Sequence, residues 1–137
     1  MLRRSFVVVF ILCFVLIGCK TNTNNNYLYD INEVDEVSIS LNSADGIKNK
    51  LLKQKSDYER VLLYIEEIEK TPTKDKNNNN GWEILITIKD DNKREHIRLL
   101  GNNLIIAGEC FVIDEESLDE FIELFDEFDY EVKTYIQ

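Results

Sequence analysis

Read as an extended chain, the stretch WEILITIK, Trp82 to Lys89, puts Trp82, Ile84, Ile86 and Ile88 on one side and Glu83, Leu85, Thr87 and Lys89 on the other. That period of two belongs to a strand with one buried face, so the rest of the chain must supply further strands and a layer to cover them. Other segments fit the demand. VSISL alternates in the same way, with Val37, Ile39 and Leu41 as its apolar members, and Asp45-Gly46 after it marks a hairpin because glycine accepts a positive φ. Ile47 to Leu52 reads as the returning strand, although IKNKLLKQK also admits a helix. REHIRLL, LIIA and CFVI, separated by Gly101-Asn102-Asn103 and Gly108-Glu109, continue the pattern as an antiparallel meander.

Two stretches change to helical spacing. Ser56 or Asp57 is placed to cap the first, with Glu59 completing a capping box, and Tyr58, Val61, Leu62, Ile65 and Ile68 form its apolar face. Glu66 and Lys70 are spaced for an ion pair one turn apart, and the helix is expected to end near Thr71-Pro72, since proline disfavours helical geometry in the residue before it. Lys74 to Gly81 is a polar loop. Asp114 is placed to cap the second helix, whose stripe is Leu118, Phe121, Ile122, Phe125 and Phe128. The expected fold is α+β: an antiparallel sheet of about four to five strands with two helices packed on one face, in the order β-β-α-β-β-β-α.

The first residues follow different rules. MLRRS is a short positive region, and Phe6 to Ile17 is a run of twelve apolar residues. A spanning helix needs about 20 apolar residues to cross a hydrocarbon core of roughly 30 Å, so this run suits a signal peptide. It closes on Leu16, Ile17, Gly18 and Cys19. Those four residues resemble the lipobox of bacterial lipoproteins, in which the cysteine thiol receives a diacylglyceryl group and a peptidase cuts just before it. The resemblance implies that Cys19 is the lipidated first residue of the mature chain, that cleavage falls between Gly18 and Cys19, and that the protein sits on the outer face of the bacterial cytoplasmic membrane. Two acyl chains, at about 0.8 kcal/mol per buried CH₂, would make that attachment stable. Lys20 to Asn26 holds no apolar residue and is expected to act as a flexible tether. The organisation expected is therefore a signal peptide over 1–18, the lipidated cysteine and tether over 19–31, and a single globular domain over 32–137. From Asp45-Gly46 to the closing NNLIIAGECFVID, the layout also resembles small uncharacterised lipoproteins of low-GC Gram-positive bacteria, a resemblance that brings no activity with it.

Charge narrows the class of partner. The chain has 16 basic and 26 acidic residues; without Arg3 and Arg4 of the leader the balance is 14 against 26, a net −12. Such a domain is repelled by phosphate polymers, which argues against nucleic acid as a partner. Ten carboxylates crowd Asp114 to Glu131, but none of the loops has the ligand spacing of a calcium site, so they read as a solvated helix face suited to a cationic protein or peptide. His96 lies beside Arg94 and Arg98, and Cys110 lies among Ile106, Phe111, Val112 and Ile113, where an apolar setting disfavours the thiolate. No catalytic, cofactor-binding or metal motif accompanies them. The sequence thus points to a membrane-anchored, non-enzymatic binding or interaction module. An immunity-type lipoprotein sequestering a cationic toxin or bacteriocin is the alternative within binding; an envelope enzyme using Cys110 and His96 is the alternative from another class.

Overall fold

A computed structural model describes residues 29–75 and 83–135. The leader with Gly18 and Cys19, the tether up to Leu28, and Trp82 lie outside the described residues. Among those described, the chain forms one eight-stranded antiparallel sheet and two helices. The strands are β1 (Glu36–Ser43), β2 (Gly46–Leu52), β3 (Thr71–Pro72), β4 (Glu83–Lys89), β5 (Arg94–Leu100), β6 (Asn103–Ile106), β7 (Glu109–Val112) and β8 (Lys133–Tyr135). The helices are α1 (Lys55–Glu67) between β2 and β3, and α2 (Glu115–Glu127) between β7 and β8.

This is the expected class with a larger sheet. Eight strands replace four to five, and the element order is β-β-α-β-β-β-β-β-α-β rather than β-β-α-β-β-β-α. Across the sheet the strands run β3-β7-β6-β5-β4-β1-β2-β8. The additions are the two edge strands, β3 on β7 and β8 on β2, together with the division of the meander into four strands.

Register explains why one face is dry. Val37, Ile39 and Leu41 of β1 pair with Ile88, Ile86 and Ile84 of β4, which carry the row on to Ile97 and Leu99 of β5 and then Ile106 and Leu104 of β6. All of these are buried, and they form one core with Val61, Leu62 and Ile65 of α1 and Leu118, Phe121 and Phe125 of α2. The helices lie side by side and antiparallel on this face. Asp57 accepts a hydrogen bond from Tyr130 at 2.6 Å, Arg60 pairs with Glu127, and the Tyr64 ring meets Phe121 with centroids 5.6 Å apart. Tyr29 and Ile31, within the segment read as tether, pack against the same core.

Local signals were obeyed unevenly. The β1–β2 hairpin closes on the pair Ser43↔Gly46, with Gly46 at φ 116, so the strand reading of Ile47 to Leu52 is the one the fold uses. Ala107 and Gly108 both take positive φ in the two-residue turn between β6 and β7, the geometry whose twist matches the flanking strands. Asp114 caps α2 as expected, accepting from the Ser117 amide and hydroxyl, each at 2.7 Å. At α1, however, the N-cap is Gln54, which makes no side-chain capping bond, so Ser56 and Asp57 fall inside the helix. Lys70 does not pair with the Glu66 carboxylate; its ammonium donates to the carbonyls of Ile65, Glu66 and Ile68 and closes the helix end. Thr71-Pro72 then enters the sheet edge, where proline's missing N–H costs no ladder bond if that side faces outward.

Candidate functional site

The helix layer concentrates the molecule's charge. α1 and α2 together carry eleven acidic and two basic side chains, and all seven charged residues of α2 are carboxylates. Burial of Phe121 and Phe125 at 0% and 1% exposure fixes which way α2 faces, and therefore turns Glu116, Asp119, Glu120 and Glu123 away from the core. A row of like charges on a mounted helix projects a negative field rather than a set of isolated pairs. Among the described residues one ion pair crosses to α1, Arg60 with Glu127; it lies at the C-terminal end of α2 and is exposed.

That C-terminal end poses an electrostatic problem, because Asp126, Glu127 and Asp129 stand where the helix dipole already favours a cation. Lys50 answers it. It belongs to the core-facing row of β2, opposite Ile39, is only 5% exposed, and donates to the carbonyl oxygens of Phe125 and Phe128 at 2.7 Å each. Its ammonium also lies 4.4 Å from the centre of the Phe125 ring. Burial holds its pKa below the ordinary lysine value, with Asp126 and Asp129 acting in the opposite sense. The sequence contained a signal for this role, a lysine at an apolar position of the alternation, but nothing in it says which carbonyls would be met.

Tyr64 ties the helices together by donating to the Ser117 carbonyl at 2.5 Å, with Glu120 at 3.3 Å. Burial first, and the neighbouring Glu120 charge second, push its hydroxyl well above the ordinary tyrosine range, so it remains a donor. The Asp114 carboxyl is held below the usual carboxylate value by the Ser117 hydroxyl and amide. These contacts position the acidic face.

Cys110 and His96 both fall on the opposite, uncovered face of the sheet, but they do not meet. Cys110 pairs with Ile105, which pairs with Arg98, so β6 lies between the two strands and His96 is two residues further along β5. At standard strand spacing their Cα atoms are about 12 Å apart. His96 is exposed and shares a 3.1 Å hydrogen bond with Thr87; Cys110 is 6% exposed with its sulfur 3.9 Å from the Asp75 carbonyl. Arg98, between them, is committed to Glu83 through Nε at 2.9 Å and its terminal nitrogen at 2.7 Å. Among the described residues there is no group of three His, Cys, Asp or Glu side chains arranged to hold a metal ion, and no helix is long and apolar enough to cross a membrane.

Comparison of the chain with protein families, with curated proteins and with solved structures gives no match.

Proposed function

We propose that this chain is a lipoprotein anchored through Cys19 on the outer face of a bacterial cytoplasmic membrane, and that its domain is a non-enzymatic binding module. Its acidic helix layer is the surface offered to a cationic protein or peptide. The observation that carries the reading is α2: seven carboxylates, no basic residue, and a side buried firmly enough to hold the rest outward. Such a field steers a cationic partner and rejects anionic ones. The LIGC sequence at Leu16 to Cys19 supports the anchor, and the seven-residue polar run after it supports a tether of roughly 15 Å.

Immunity by sequestration of a secreted cationic toxin or bacteriocin is a specific form of the same reading, favoured by small size and strong acidity. The envelope-enzyme alternative asks Cys110 and His96 to act together, and their positions two strands apart give it no support.

Two measurements test the proposal separately. Mass analysis of membrane-extracted protein is expected to find an acylated N-terminus at Cys19; an intact Met1 or an unmodified soluble chain would refute the anchor. The domain is expected to bind a cationic peptide such as oligolysine with strong salt dependence, and replacing Glu116, Asp119, Glu120 and Glu123 with their amides should weaken binding at least tenfold. Equal binding by that variant would refute the acidic-surface reading. Loss of resistance in a deletion strain to its own secreted peptides would single out immunity.

A further inference from the structure

The uncovered face of the sheet differs in chemistry from the helix layer. By strand alternation it presents Lys53, Lys89, Arg94, Arg98 and Lys133 against Glu36 and Glu83. At one edge this face folds into a cleft. β8 pairs with β2 only through Ile47, Lys48 and Asn49, so Lys50 to Leu52 have no strand on the side away from β1, and Tyr130 and Glu131, which precede β8, form a wall there. The space enclosed is about 340 Å³, at the lower end of the roughly 300–1,000 Å³ typical of small-molecule sites.

Its lining has a mixed body, polar at Ser38 and Asn49 and apolar at Leu51 and the tyrosines, and a charged rim. Ser38, Asn49 and Leu51 make the floor, and Tyr130 and Tyr135 stand at the side. Tyr130 is fixed by the bond its hydroxyl donates to Asp57 at 2.6 Å. Of the four large exposed apolar side chains among the described residues, Leu51 and Tyr135 line this cleft, and Val132 lies between two residues that do. That coincidence is independent of the cavity itself, because exposed apolar groups gathered around a concave site mark a place where something binds. The rim carries two carboxylates, Glu36 and Glu131, and two ammonium groups, Lys53 and Lys133. None of them takes part in the three ion pairs found among the described residues.

We infer that this cleft is a binding site for a short zwitterionic peptide with apolar side chains, of about dipeptide size. The side chains lie against Leu51 and the two tyrosines, the peptide ammonium faces Glu36 and Glu131, and the peptide carboxylate faces Lys53 and Lys133. A ligand of one sign would meet repulsion from two of the four charged groups, whereas a zwitterion has a partner for groups of both signs. The site lies on the side of the sheet away from α2, so it stands or falls separately from the acidic-surface reading.

The test uses the full lipidated chain in detergent micelles with its leucine and isoleucine methyl groups labelled, titrated with the dipeptide leucyl-phenylalanine. The Leu51 and Ile47 signals are expected to shift saturably at millimolar peptide or below. The same peptide acetylated and amidated at its ends should bind at least tenfold more weakly. Lys133→Glu, at an exposed position of a short edge strand, should weaken the free dipeptide by a similar factor, while Glu116→Gln on α2 should leave it unchanged. Tyr135→Ala supplies a second variant with no charge effect and should also weaken binding. Absence of a saturable shift at Leu51 would overturn the inference, as would equal affinity for the blocked peptide.

Discussion

The two faces of the sheet are built from alternate residues of the same strands, yet they obey different constraints. Along β4, Ile84, Ile86 and Ile88 are buried between 0% and 3% exposure, while Leu85 and Thr87 remain half-exposed. The covered face of the central strands β1, β4 and β5 is aliphatic because those side chains fill space against the helices, and a change of one methylene there alters packing. The open face mixes serine, threonine, asparagine, histidine, arginine and leucine because water tolerates all of them. In the central strands stability is therefore held on one side, and the other side and the outer surface of the helices are left open to variation.

The sharpest break in this comparison should come from the core. Phe121→Ala is expected to destabilise the domain by about 3–5 kcal/mol, measured by urea unfolding, because the ring is fully buried at the centre of the helix layer. A smaller loss, about 1–3 kcal/mol, is expected for Lys50→Met, which keeps the aliphatic stem but leaves the Phe125 and Phe128 carbonyls without their donor. Unchanged stability would mean that water can replace the ammonium.

Acid should act next. Asp114 is depressed by Ser117, Glu95 chiefly by its hydrogen bond from Lys93, and Asp90 by the amides of Asn92 and Lys93. Each is more acidic in the fold than in the unfolded chain. Their contribution is whole above the unfolded carboxylate values of about 4 and is lost as pH falls through the lowered folded values. Thermal midpoints should accordingly decline below about pH 4, and Asp114→Ala should flatten part of that decline. The smallest effect is expected on the open face: His96→Ala should shift stability by no more than about 0.5 kcal/mol, since the side chain is exposed and, among the described residues, bonded to Thr87 alone.

The sequence made β4 and β1 legible because burial on one side writes a period of two into the chain. The Phe121 and Phe125 stripe and the Asp114 cap were legible for the same reason: a strong local rule agreed with the global fold. Thr71-Pro72 was not legible as a strand, because two residues cannot display alternation and proline signals a break. Lys133 to Tyr135 is exposed throughout, so β8 has no buried face to leave a pattern. The start of α1 was misplaced because Ser56 and Glu59 imitate a capping box that packing overrides in favour of Gln54. The acidic surface could be read directly from the run after Asp114. The cleft could not, since Glu36 and Lys133 come together only through the β1-β2-β8 edge of the sheet.

The division of labour between alternate residues is tested most directly by an alanine scan of β4 from Ile84 to Ile88, read as unfolding free energies. The account predicts a saw-tooth, with losses of about 2–5 kcal/mol at Ile84, Ile86 and Ile88 and under about 1 kcal/mol at Leu85 and Thr87. A level profile across the five positions would contradict it.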